Sequence, residues 1–303
     1  MGTNAMKGSS ILITGAGGFT GRHACTYFSE MGMRVYAAVR HADTPVASGE
    51  GVVCDMLHKE QIYMMVRQLQ PDYVLHLAGR NSVPESWQEP VTYLETNMMS
   101  TFYLLDALRE VPKCRTLVVG SKLKFDITVS TEPPHPYSLS KTMQQIAVST
   151  WVHLFGQCMM LAEPCNLIGP GPSTGICALI ARKMVQVERN VMTDPFRLSS
   201  LEERRDFLDV RDAVKAYGVI LERGQGGHTY PIESGILRSL GEVFQTFQHH
   251  AKKTIPVEVV NPSAGQHVPL DPGHAAMMHE FGWEANIPFD QSIQDIIHYF
   301  RNP

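Results

Sequence analysis

Tyr137 and Lys141 stand four residues apart in HPYSLSK, at the start of a segment whose pattern predicts a helix to about Phe155. Residues i and i+4 share a helix face, so this spacing puts an ammonium beside a phenol. A free phenol loses its proton only near pH ~10, and an adjacent cation stabilises the phenolate and lowers that value. Such a tyrosine can exchange a proton with a carbonyl or alcohol while a nicotinamide moves a hydride. Upstream, the predicted strand TLVVG ends at Gly120-Ser121, which brings a hydroxyl to the strand's C-terminal edge, where ligands of open α/β sheets bind. Ser121, Tyr137 and Lys141 are the candidate catalytic set, with Ser130 or Thr128 as alternative hydroxyl partners.

The elements that must position these groups begin with ILITGAGGFTGR, residues 11–22. Ile11, Leu12, Ile13 and Thr14 read as a buried strand that runs into Gly15, Gly17, Gly18 and Gly21. A helix follows, with Ala24, Tyr27, Phe28 and Met31 on one face and Gly32 at its end. Strand, glycine turn and helix form a nucleotide-binding unit, because a pyrophosphate must reach bare N–H groups and the positive end of the helix. Phe19 and Thr20 belong to the same cradle. A glycine-rich turn without ligand is the plain alternative.

The second strand, Arg34 to Val39, ends at Arg40, with no acid beside it in the chain. An acid there suits a ribose 2′-hydroxyl and a cation suits a 2′-phosphate, so NADP(H) is favoured and NAD(H) is the alternative. A solvated surface arginine is the other reading of Arg40. A short third strand, Gly51 to Cys54, leads to Asp55 and Met56, with Asp55 placed for an adenine amino group. The next helix turns Ile62, Met65, Val66 and Leu69 inward. The fourth strand, YVLHLAG, closes on Leu77, Ala78 and Gly79, whose small residues leave room for a cofactor. Residues 80–90 read as a polar loop and 91–109 as one long helix carrying Asn97, whose partner is either backbone or cofactor. This alternation predicts an α/β protein, a Rossmann-type doubly wound parallel sheet.

Composition narrows the partners. A net charge of −4 leaves no basic surplus for nucleic acid, and no Lys/Arg run suggests a membrane surface. The six cysteines lack any CxxC pair, which points to reduced thiols in a cytoplasmic protein with no metal site. No window reaches the ~18 apolar residues of a membrane span.

GAGGFTG, the strand-end Ser121, YSLSK, CNLIGPG and RDFLDVRDAV together resemble the extended short-chain dehydrogenase/reductases that act on nucleotide sugars, over about residues 9–300. The resemblance implies an NAD(P)-dependent oxidoreductase with a dinucleotide-binding domain over 1–165, to which 206–228 return. It implies a smaller α/β substrate domain over 166–205 and 229–303, and a homodimer through the Asn97 and Tyr137 helices. It places Ser82 and Val83, within SVPESW, and Asn166 and Arg205 at the sugar nucleotide. On the helix 176–189, Lys183 gives a cation to the diphosphate or belongs to a solvated charged face. The chain departs from the family pattern at Glu163, where arginine is common, at Cys165, and in the short Ser121–Tyr137 spacing of fifteen intervening residues.

Members of that family divide into 4-keto reductases, epimerases and 4,6-dehydratases. Dehydratases carry an acid soon after the serine, whereas Lys122 and Leu123 stand here. An epimerase keeps its NAD, while a reductase consumes NADPH, so Arg40 leans towards reduction. SVPESW, IGPGPSTG and RDFLDVRDAVKAYGVIL look most like the GDP-4-keto-6-deoxy-mannose reductases. The expectation is NADPH-dependent reduction of a nucleotide-linked 4-keto-6-deoxyhexose in deoxysugar biosynthesis. An epimerase is the alternative, ahead of a dehydratase or a non-catalytic dinucleotide sensor.

Overall fold

The computed structural model describes residues 6–191, 194–261 and 277–302. Strands β1 (Ser10–Thr14), β2 (Arg34–Val39), β3 (Glu50–Val53), β4 (Tyr73–His76), β5 (Arg115–Val119), β6 (Met159–Pro164) and, late in the chain, β10 (Thr229–Ile232) form one sheet. Its order is β10-β6-β5-β4-β1-β2-β3, and the pairs from β3 to β6 are parallel. From β1 the chain winds outward to β3 and then returns to β4 on the other side. The switch point is therefore between β1 and β4, where an open α/β sheet offers a crevice at the strands' C-terminal ends. The doubly wound prediction holds.

Helices α1 (Phe19–Glu30) and α2 (Lys59–Leu69) follow β1 and β3. Ile62, Met65 and Val66 of α2 are buried with Leu12, Val74, Leu104 and Val118, as the apolar spacing required. Between β4 and β5 the structure differs from the reading of the sequence. The polar stretch 80–90 contains α3 (Val83–Gln88), whose start is set by Ser82, its hydroxyl accepting from Glu85 N–H, and by Pro84. The long helix expected over 91–109 is α4 (Pro90–Leu94), a π-turn over Glu95–Met99, α5 (Ser100–Ala107) and a 3₁₀ turn. Thr101 Oγ1 donates to the Asn97 carbonyl at 2.8 Å, and such back-bonding accompanies the interrupted ladder. Helix α6 (Pro136–Phe155) carries Tyr137 and Lys141, and opens with His135 accepting from Ser138 N–H at 2.9 Å.

The chain divides into two compact units, Met1–Pro164 with Val214–Pro231, and Cys165–Ala213 with Ile232–Pro303. Residues 206–213, expected with the first unit, lie in the second. The reason is pairing: β9 (Arg204–Asp209) joins β7 (Asn166–Ile168) and β11 (Leu237–Ser239) in a three-stranded sheet. The stretch CMMLAEPCNLI contributes two strands, β6 and β7, to different sheets. Helix α8 (Val210–Arg223) follows β9 directly. In the second unit α7 (Ile176–Glu188), α9 (Leu240–His250) and α10 (Phe289–Arg301) bury Ile180, Met184, Phe244, Phe247, Ile293 and Ile296. A two-stranded ribbon pairs β8 (Phe196–Leu198) with β12 (Val257–Val259). Residues 262–276, within the expected second domain, lie outside the described residues. No described helix is long and apolar enough to cross a membrane.

Candidate active site

The glycine loop joins β1 to α1. Gly15 has φ +68°, and a Cβ there would stand 2.8 Å from Ala78 N, so β4's end packs directly on the turn. A Cβ on Gly21 would lie 2.2 Å from the Gly15 carbonyl oxygen, so this glycine lets the helix approach the loop. Gly18 caps α1 with no side-chain acceptor, and the first turn holds no acid. The Gly18 N–H closes the turn onto the Gly15 carbonyl at 3.0 Å, and the N–H groups of Phe19 and Thr20 at the start of α1 are left for an external anion, which is the fit a dinucleotide pyrophosphate needs.

At the outer strands Arg40 is exposed and its Nε lies 4.0 Å from Asp55 Oδ1. The chain places no acid beside Arg40, but β3 delivers one in space. Asp55 also accepts from Leu57 N–H at 3.0 Å, which orders the turn carrying Met56. Beyond β4, a Cβ on Gly79 would meet Asn97 Oδ1 at 2.8 Å and Lys141 Nζ at 3.8 Å, so this bare strand end lies over the lysine.

Asn97 is fully buried in the π-turn. Its oxygen accepts from Arg80 N–H at 2.7 Å, and its amide donates to Arg80 O at 3.0 Å and to Ser140 Oγ at 2.9 Å. Both its N–H groups are used within the chain, so Asn97 pins the segment after Gly79 to α6.

Tyr137 is 5 % exposed, its ring stacked against His135 and edge-on to Tyr93. Burial raises its pKa above the usual phenol value, and a hydrogen bond with Ser121 acts the other way. Ser121 Oγ already accepts from Leu123 N–H at 3.1 Å, which leaves its proton for the phenol oxygen. Thr128 instead donates to Asp126, and the Ser130 hydroxyl accepts from Glu132 N–H, both on exposed backbone. The structure therefore brings Ser121 to Tyr137, and not the two alternatives. Lys141 does not point its ammonium at the phenol as the spacing alone implied. It donates to Val119 O at 3.1 Å and Gln144 Oε1 at 2.9 Å, and burial lowers its pKa from 10.5 to about 8.

The shortened 122–135 segment is tied down by contacts that sequence reasoning missed. Phe125 bonds Thr142 Oγ1 through both its N–H and its carbonyl, at 3.1 and 3.0 Å. Lys124 pairs with the buried Glu163 at 2.7 Å and donates to Gln145 at 2.9 Å. The carboxylate at 163 thus has its cation from a position that only the fold brings near. Ser82 and Val83 open α3, with Ser82 N–H donating to Tyr93 Oη at 3.0 Å. In the second unit Asn166 Nδ2 donates to Asp206 O at 2.9 Å, and Arg205 Nε is held by Glu203 at 2.7 Å. Lys183, only 8 % exposed on α7, pairs with no carboxylate among the described residues.

A glycine cradle at the switch point of a doubly wound sheet, with a buried tyrosine and lysine one helical turn apart, defines a dinucleotide-binding oxidoreductase fold. The chain belongs to the NAD dependent epimerase/dehydratase family, which it matches over residues 11–232. It is 27 % identical to the GDP-6-deoxy-D-mannose reductase of Pseudomonas aeruginosa over 306 residues, 95 % of each chain. It is also 27 % identical to a dTDP-glucose 4,6-dehydratase of Xanthomonas campestris over 329 residues, 95 % of this chain and 92 % of that one. The solved structure of RMD from Pseudomonas aeruginosa complexed with NADPH superposes with a TM-score of 0.77 at 24 % identity, covering 97 % of this chain and 99 % of the other.

Proposed function

We propose that this protein reduces the 4-keto group of a GDP-linked 4-keto-6-deoxyhexose with NADPH. The observation that carries this reading is the burial of the Tyr137 phenol, with Ser121 acting on it. Burial favours the neutral phenol, so at neutral pH Tyr137 stands ready to give a proton, as reduction of a ketone requires. An epimerase must first take a proton from an alcohol, for which the phenolate is the useful form. A dehydratase would be expected to carry an acid soon after its serine, whereas Lys122 and Leu123 follow Ser121 here.

When bound, the nicotinamide supplies the hydride. Tyr137 gives its proton to the C4 oxygen, and Ser121 hydrogen-bonds the developing alkoxide and then the phenolate left behind. Lys141, held beneath Gly79, orients the nicotinamide ribose and lowers the cost of the phenolate charge. Gly15, Gly17, Gly18, Phe19, Thr20 and Gly21 hold the pyrophosphate; Asp55 and Met56 border the adenine; Arg40 meets the 2′-phosphate. Asn166 and Arg205 are assigned to the sugar nucleotide and Lys183 to its diphosphate, with Lys183 bringing a cation that pairs with no carboxylate among the described residues. Support for the substrate class comes from the Pseudomonas aeruginosa reductase, matched over 95 % of both chains.

The test is to supply NADPH with a GDP-4-keto-6-deoxyhexose and follow the absorbance of the reduced nicotinamide. Stoichiometric loss of NADPH with formation of the deoxyhexose is expected. No consumption, together with interconversion of a UDP-hexose by protein holding NAD, overturns the reductase in favour of an epimerase. Sedimentation of the purified chain tests the homodimer.

A further inference from the structure

Behind Lys141 runs a chain of buried side chains that the proposed reaction does not use. Gln144 Oε1 accepts from Lys141 Nζ at 2.9 Å, and Gln144 Nε2 donates to Thr101 Oγ1 at 2.9 Å. His76 Nε2 lies 3.0 Å from the same hydroxyl, and His76 Nδ1 lies 2.7 Å from Thr14 Oγ1. Thr14 Oγ1 accepts from the N–H groups of Leu77 and Ala78 at 3.2 and 3.1 Å, at the end of β4. None of Gln144, Thr101, His76 and Thr14 is more than 1 % exposed.

The protons in this chain can be arranged in only one way. The single Thr101 proton goes to the Asn97 carbonyl at 2.8 Å, so its oxygen accepts from both Gln144 and His76. His76 therefore carries its proton on Nε2 and accepts at Nδ1 from Thr14, whose two lone pairs serve Leu77 and Ala78. A second proton on His76 would leave two donors facing each other in a dry interior; burial, with the Lys141 charge nearby, holds its pKa down at about 3. With its nitrogen claimed by Thr101, the Gln144 amide cannot flip, and its oxygen is left for Lys141. His76 from β4 is the titratable group that the ammonium charge acts on, and burial keeps it neutral at pH 7. Among the described residues no carboxylate pairs with that ammonium.

We propose that Gln144 is the positioning residue of Lys141, its amide oxygen locked by the Thr101, His76 and Thr14 chain so that the ammonium is held and aimed relative to the end of β4. This rests on reading Lys141 as the group that orients the nicotinamide and steadies the phenolate. An unbranched polar residue three positions after the lysine is the signal the sequence carried for it.

The test reads Lys141 directly, by NMR titration of the ε-labelled whole chain with no dinucleotide or substrate, its signal assigned by its loss in Lys141→Met. The wild-type ammonium titrates at about 8. In Gln144→Met, of similar volume and without the acceptor, the midpoint falls by about one to two pH units, a ten- to hundredfold loss of ammonium stability. In Gln144→Glu, which puts a carboxylate against the ammonium, it rises above the wild-type value. Should Gln144→Met not fold, the direction in Gln144→Glu decides. A midpoint equal to wild type in the folded variant overturns the proposal. Because no reaction is measured, inactivity of the wild-type chain on keto sugars would count against the functional reading alone. In an active enzyme the alkaline limb of kcat moves with the NMR midpoint.

Discussion

Replacing Lys141 by methionine separates what the ammonium does for the reaction from what it costs the fold. In the folded chain its pKa is lowered from 10.5 to about 8 by burial. A lowered lysine pKa means that below pH 8 the folded state holds a charge it disfavours. Between pH 8 and 10.5 the unfolded chain binds a proton that the folded chain lacks, so stability rises with pH across that window. At ~1.4 kcal/mol for each pH unit, and allowing for partial titration at both ends, wild type gains about 2.5 kcal/mol between pH 7 and 10 relative to Lys141→Met. Losing the donor to Val119 O and Gln144 Oε1 adds an offset that does not vary with pH, so the slope is the clean quantity. Urea unfolding of both proteins at pH 7, 8, 9 and 10, read from the transition of the first unit, measures it. The variant should also bind the dinucleotide more weakly and lose turnover. Parallel stability curves for the two proteins would refute the burial argument, and with it the reading of Lys141 as a charge kept at a cost because the site uses it.

Tyr137→Phe should lower turnover by about 10²- to 10⁴-fold, the usual worth of a general acid, while calorimetry finds dinucleotide binding unchanged; retained turnover would remove the phenol from the chemistry. Gly21→Ala forces a Cβ to 2.2 Å from backbone oxygen, and an overpacking cost of ~1–3 kcal/mol exceeds the ~1 kcal/mol helix gain. At Gly17 the close neighbour of an added Cβ is the Thr44 side-chain methyl rather than backbone, so urea titration should rank Gly17→Ala more stable than Gly21→Ala. Ser138 Oγ is buried with no hydrogen-bond partner among the described residues, so Ser138→Ala should leave Tm unchanged or raise it. Arg40→Ala should weaken NADPH binding by about tenfold and NADH binding little; equal losses for the two would remove the 2′-phosphate assignment.

Some elements were plain in the chain because local rules suffice for them. Strand β2 was read with its observed limits, since a run of apolar residues between Gly32 and Arg40 leaves no other register. The inward face of α2 follows from helical spacing alone. By contrast, the π-turn at Asn97 has no pattern of its own, because it forms to satisfy the Arg80 backbone seventeen residues away in sequence. The split of β6 from β7 was equally hidden. Both are short apolar runs, and which sheet each joins depends on partners far along the chain.

The sequence by itself determined the class of this protein: the order strand, glycine turn and helix, a hydroxyl at a strand end, and a tyrosine and lysine one turn apart. Those signals survive without tertiary information because each depends on residues close in the chain. Tertiary structure decided how the charges are used. It set Asp55 beside Arg40, gave Glu163 its cation in Lys124, chose Ser121 over Thr128 and Ser130, and turned Lys141 onto Val119 and Gln144. Each of these depends on the distance between side chains far apart in sequence and on the water excluded around them, and spacing along the chain specifies neither.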